Sequence, residues 1–256
     1  MLNARIGKPN RRKIITRING YHGVTLGASS MTAKPYNKEF GLPSEEFIHI
    51  ECPHYWKYGL ENETEEEFSI RMAKNLEEKI IKEDPETIAG FVAEPVQGAG
   101  GCIPPSKSYF DLVQPILKKY NIPFIADEVI CGFGRTGNLW GCDTYNIKPD
   151  IIISSKCLTA GYFPMGAVIV NKEFSDKFVE VSEEAEEFPH GFTAGGHPVG
   201  CAIALKAIDV IMNEGLLDNV KLMEPYFFER LNEFNDYEHI GETRGIGLMA
   251  ALEIVK

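Results

Sequence analysis

Short apolar runs recur along this chain, separated by stretches in which apolar residues return every three or four positions. Ile14–Ile18, Ile88–Ala93, Pro123–Ala126, Ile151–Ile153, Ala167–Val170 and Gly247–Ile254 predict strands. Those in the middle are apolar nearly throughout, as strands covered on both faces are. Between them Phe68, Met72, Leu76 and Ile80 fall at four-residue spacing and predict a helix over Thr64–Lys82 with one buried face. A second helix is expected over Lys107–Tyr120, with Phe110, Val113 and Leu117 inward and Pro115 bending it. A third starts near His197, where Pro198 suits a first turn, and ends at Gly215. A fourth runs from Leu216 to Phe234 through Pro225. This alternation predicts an α/β fold: a mostly parallel sheet flanked by helices, with right-handed crossovers and ligands at the carboxyl ends of the strands. A boundary near residues 206–216 divides the chain into a large domain, 1–206, incomplete at its N-terminal side, and the beginning of a smaller α+β domain, 207–256.

Composition narrows the partners. Of 256 residues, 44% are apolar and 25% charged, an ordinary globular balance. The net charge of -11 repels polyanions, so nucleic acid is not an expected partner. No apolar run approaches membrane-spanning length, and no secretory-type segment follows Met1, so no membrane partner is expected either. The six cysteines form no CxxC pair, which favours reduced thiols over disulfides or a zinc site and leads to an expected cytoplasmic location. Six positive charges crowd the first seventeen residues (Arg5, Lys8, Arg11, Arg12, Lys13, Arg17). An organelle transit peptide is one interpretation. Pro9 and the alternation over Lys13–Ile18 favour a strand instead. The acidic cluster 182–187 reads as a solvated loop or helix end.

Candidate chemistry concentrates in residues 122–156. Asp127 lies just past one apolar run and Lys156 just past another, Ile151-Ile152-Ile153. Parallel strands deliver both to one sheet edge, which is what pyridoxal phosphate (PLP) chemistry requires. The lysine amine forms a Schiff base with the cofactor aldehyde, and the carboxylate keeps the pyridine nitrogen protonated so that the ring accepts electrons. A literal GxGxxG, Gly132 to Gly137, follows the first run. Asn138-Leu139-Trp140-Gly141 comes next with no helical period, so the dinucleotide interpretation lacks its structural context. By spacing alone His22, His190 and His197 read as structural.

Six segments together resemble the class III aminotransferases of the fold-type I PLP enzymes, and most closely their ω-amino acid:pyruvate and γ-aminobutyrate transaminase branch. They are NGYHGVTLGASSMT (19–32), FVAEPVQGAGG (91–101), FIADEVICGFGRTG (124–137), PDIIISSKCLTAGYFPMGAVIV (149–170), HGFTAGGHPVGCAIAL (190–205) and RGIGLMAALE (244–253). The resemblance implies a PLP-dependent transferase-like large domain and a transaminase. An amino group would pass from an ω-amino acid or amine donor to a keto acid acceptor such as pyruvate. It implies Lys156 as the Schiff-base lysine, Asp127 at the pyridine nitrogen, Val129 against one ring face and Tyr21 against the other, with His22 in the same Tyr-His-Gly signature on the cofactor side. It implies Glu94 and Gln97 on the substrate side. Thr193 would bind the cofactor phosphate of the neighbouring subunit, making a homodimer with shared sites.

The chain also departs from the resemblance. Nothing in residues 1–20 supplies the Gly-Ser-rich phosphate loop of relatives, and the sequence stops at Lys256, before the region where relatives carry the arginine that receives the substrate carboxylate, so the chain looks truncated at both ends. Thr193-Ala194-Gly195-Gly196 stands where many relatives have Thr-Tyr-Ser-Gly. Arg244 fits a turn into a small-domain strand. The alternatives are a catalytically inactive truncated homologue serving only as a structural or dimerisation partner, and a PLP aminomutase or decarboxylase on the same scaffold.

Overall fold

Apolar strands stacked side by side in parallel form the centre of the molecule. In the computed structural model, which describes residues 3, 7–32, 34–187 and 191–256, β1 (Lys13–Arg17), β2 (Phe47–Ile50), β3 (Ile88–Ala93), β4 (Phe124–Asp127), β5 (Ile151–Ser154) and β6 (Ala167–Val170) make one sheet in the order β2-β1-β3-β4-β5-β6. The first five strands pair in parallel, and β6 closes one edge antiparallel to β5. This is the mostly parallel α/β sheet expected. Arg5 and His190 lie outside the described residues.

The helices are α1 (Leu26–Met31), α2 (Tyr55–Tyr58), α3 (Glu65–Glu83), α4 (Tyr109–Lys119), α5 (Gly141–Thr144), α6 (Lys172–Ala185), α7 (Pro198–Asn213) and α8 (Leu216–Asn232). Thr64 caps α3 through a reciprocal box with Glu67, which satisfies donors the first turn leaves free. Phe68, Met72, Leu76 and Ile80 of α3 and Phe110, Val113 and Leu117 of α4 bury into one core with Ile88, Phe91 and Phe124 of the sheet. The Phe110 ring lies stacked on Phe124 with centroids 5.8 Å apart. A separate antiparallel pair, β7 (Ile240–Ile246) and β8 (Met249–Ile254), places Met249 in the same core. α7 runs unbroken across residue 206.

Several elements differ from expectation. Strand β2 and strand β7 form where none was predicted, and Gly247 belongs to the turn between β7 and β8 rather than to a strand. Arg244 sits inside β7, paired with Ala251 of β8 and not in a turn before it, and its guanidinium reaches Gly101 O at 2.9 Å and Glu242 at 2.7 Å. Helix α6 occupies the stretch leading into the acidic cluster, with Asn171 as its N-cap. No described helix is long and apolar enough to cross a membrane.

Candidate active site

The register of β4 on β5 settles where the two key residues emerge. Asp127 pairs with Ile153, three residues before Lys156, so both leave neighbouring parallel strands at the same carboxyl edge. Asp127 is buried at 4% exposure. Lys156 is exposed and opens a single 3-10 turn, Lys156–Thr159, with φ at +45°. A left-handed backbone at a residue with a long side chain is uncommon and has to be held by its surroundings. Ser155 Oγ donates to Met165 O at 2.9 Å and Thr159 Oγ1 donates to Phe163 O at 2.6 Å, bracketing the lysine on both sides.

Successive side chains of a strand face opposite sides, and the acidic pair uses this. Glu128, fully buried, accepts from Gly141 N at 2.9 Å and Cys142 N at 2.7 Å. Burial pushes its carboxyl upward, while these bonds pull the other way. Asp127 serves the other side. Its Oδ1 accepts from Val129 N at 3.1 Å, and its Oδ2 lies 2.7 Å from His22 Nδ1. His22 Nε2 in turn lies 3.0 Å from Thr16 Oγ1. A carboxylate has about four lone-pair directions, so Asp127 keeps acceptor capacity beyond these two contacts. Val129 is half-buried beside it.

Tyr21, half-buried, precedes this histidine and is fixed through its backbone. Its N–H donates to Glu94 Oε1 at 3.1 Å, and Gly98 N donates to Glu94 Oε2 at 2.9 Å. Glu94 therefore ties the Tyr21 segment to the glycine turn after β3, and burial raises its carboxyl. Gln97 donates Nε2 to Ile18 O at 2.9 Å, and its buried Oε1 has no partner. Thr193 lies exposed in the turn before α7 and makes no hydrogen bond that joins it to this group among the described residues.

Two participants escaped the sequence reading. Arg17, 2% exposed, donates to the Glu94 carbonyl and lies under the rings of Tyr109 and Phe110 at 5.9 and 5.7 Å. Thr16, fully buried, supports His22. The available signal was their polarity inside the otherwise apolar run Ile14-Ile15-Thr16-Arg17-Ile18.

The GxGxxG segment forms turns, with Phe133 packed on Trp140 at 4.9 Å. A Cβ on Gly134 would come within 2.8 Å of Leu217, and one on Gly137 within 3.1 Å of Lys221. These glycines admit α8, not a phosphate.

The family model described as Aminotransferase class-III matches residues 2–256. The chain belongs to the class III aminotransferases. A γ-aminobutyrate transaminase from Solanum lycopersicum, named mitochondrial, is 52% identical over 98% of this chain and 49% of its own length. A PLP-bound aminotransferase mutant from Vibrio fluvialis is 63% identical with a TM-score of 0.97, covering 100% of this chain and 56% of that one. An omega-aminotransferase from Paracoccus denitrificans is 62% identical with a TM-score of 0.98, covering 100% and 57%. The chain thus spans about half the length of the curated relatives it matches.

These class III relatives overturn the expectation of a cytoplasmic compartment, because two Solanum lycopersicum proteins among them are named mitochondrial and chloroplastic. All six thiols are free here. Reduced thiols and an acidic surface suit a mitochondrial matrix or a chloroplast stroma as well as a cytosol, so composition does not separate these compartments.

Proposed function

We propose that this class III aminotransferase is a PLP-dependent transaminase, moving an amino group from an ω-amino acid or amine to a keto acid such as pyruvate. The observation that carries the proposal is the emergence of Asp127 and Lys156 from adjacent parallel strands at one carboxyl edge. The residues fit the cofactor: a buried carboxylate with acceptor capacity to spare suits a protonated ring nitrogen, and an exposed primary amine suits an aldehyde. When bound, PLP supplies that aldehyde and an electron-accepting ring.

The remaining work belongs to the chain. Lys156 Nζ holds the cofactor and afterwards carries a proton to and from the substrate carbon. Asp127 holds the ring proton in place, and the His22 and Val129 contacts fix its two oxygens. Tyr21 and Val129 close on the ring faces and exclude water from them. Glu94 and Gln97 line the substrate side, with Glu94 acting by anchoring the Tyr21 backbone. Thr193, exposed in its turn, is left to serve the cofactor phosphate of a neighbouring subunit, so a homodimer is part of the proposal. In this reading residues 1–206 belong to the cofactor domain and 207–256 to a smaller one. The PLP-bound Vibrio fluvialis relative supports the same reading.

Replacing Lys156 with Ala in the full-length protein should abolish transamination and the borohydride-trappable visible absorbance. Turnover that persists in this variant overturns the assignment.

A further inference from the structure

Three buried groups stand in line behind the proposed cofactor site: Thr16 Oγ1, the His22 imidazole and the Asp127 carboxylate, joined at 3.0 and 2.7 Å. Thr16 is fully buried, and the His22 and Asp127 side chains are 3% and 5% exposed. The place is cut to the ring: a Cβ on Gly20 would lie 3.0 Å from His22 Nε2. The backbone of His22 is fixed as well, by donation to Thr32 Oγ1 at 2.8 Å.

Donor accounting then decides the protonation of the ring. An ionised carboxylate only accepts, so Nδ1 carries a hydrogen toward Asp127. At the other end, Thr16 has two options. If Nε2 also carried a hydrogen, the threonine oxygen would accept it and its own O–H would need another acceptor. Among the described residues the Thr16 hydroxyl has no other hydrogen-bond partner, and Thr16 has no solvent-exposed surface. A buried orphan donor is costly, so the satisfied arrangement has Thr16 donating to a bare Nε2.

We infer that Thr16 is a positioning residue that holds His22 as the neutral Nδ1–H tautomer, so that Asp127 receives a hydrogen bond without having its negative charge cancelled. An imidazolium at this distance would neutralise the carboxylate that the ring nitrogen needs. Glu94 and His49 lie within electrostatic reach of the ring. The inference rests on the role proposed above for Asp127, but its first readout does not.

The test uses the full-length protein labelled with nitrogen-15 at histidine, with His22 assigned by its loss in His22→Gln. The expected result near neutral pH is one protonated ring nitrogen, Nδ1, and one bare nitrogen, Nε2. Thr16→Val, which keeps shape and removes the donor, should shift the Nε2 resonance and weaken PLP binding by about tenfold, the low end of what outer hydrogen bonds do for metal-bound imidazoles. Thr16→Ser should restore both. Two protonated ring nitrogens in the unaltered protein overturn the inference, and so does a Thr16→Val protein with unchanged resonances and PLP affinity. If Thr16→Val does not fold, the spectrum of the unaltered protein and the Ser variant decide alone. An unaltered full-length protein that binds no PLP counts against the proposed function, while the nitrogen resonances still judge Thr16.

Discussion

Asp127 and Glu128 are neighbours in sequence with opposite duties. The first meets His22 and Val129, and the second clamps two backbone N–H groups at the start of α5. Removing the second should therefore be a stability lesion. Glu128→Ala leaves the Gly141 and Cys142 donors unmatched in a buried place, and a loss of about 2–4 kcal/mol is expected from urea unfolding. The bare residue pattern singles out two candidate residues, and the rest of the candidate site comes only with the family resemblance. Asp127 and Lys156 stand out because each ends a run too apolar to lie on a surface. Thr16 and His22 do not stand out, because the threonine gains meaning only through the histidine, and the histidine only through Asp127, a partner more than a hundred residues away. The resemblance implies Glu94 on the substrate side, but not as the anchor of the Tyr21 backbone. That contact depends on how β3 is placed beside β1.

Helix α3 shows which elements announce themselves. Its apolar residues recur on one face, and Thr64 with Glu67 marks its start, so expectation and observation differ by one residue at each end. Strand β2 hides because Phe47-Ile48-His49-Ile50 is short and flanked by acids, and β7 because Gly241, Glu242 and Arg244 break its apolar alternation. Helix α6 hides for another reason: among the side chains described in it only Val181 is buried, which leaves little periodicity to see. Just ahead of α3, Glu63 accepts from Arg71 at 2.6 and 2.7 Å, and this bond holds its carboxyl at about 2, below the ordinary 4.5. A depressed folded value means the pair stabilises above the ordinary carboxylate range and loses that contribution as the pH falls from about 4.5 through about 2. Glu63→Gln should be less stable than the parent at neutral pH. The gap between their urea midpoints should narrow steadily below pH 4.5.

At the scale of the whole molecule, the C-terminal hairpin joins the sheet through Met249 in the shared core, with Ile246 and Ala251 packed against it, and through polar ties. Leu248 N donates to Arg135 O at 3.1 Å, in the glycine-rich loop that leaves the Asp127 strand. Gly247, at φ +59°, has no room for a side chain against that loop, since its Cβ would strike Arg135 O. At the opposite edge β6 leaves Val168 and Ile169 exposed. Arg244 is a second polar tie. Besides Gly101 O and Glu242, its guanidinium meets Glu253 at 2.7 Å, and Glu242 is shared with His54 at 2.8 Å. One side chain thus fastens both hairpin strands to a loop of the large sheet and to the approach to α2. Its consequence is cooperativity. With that rivet in place the hairpin and the sheet should melt together, as a single calorimetric peak. Arg244→Met should split or broaden the peak, the hairpin opening first and at a lower temperature than the rest.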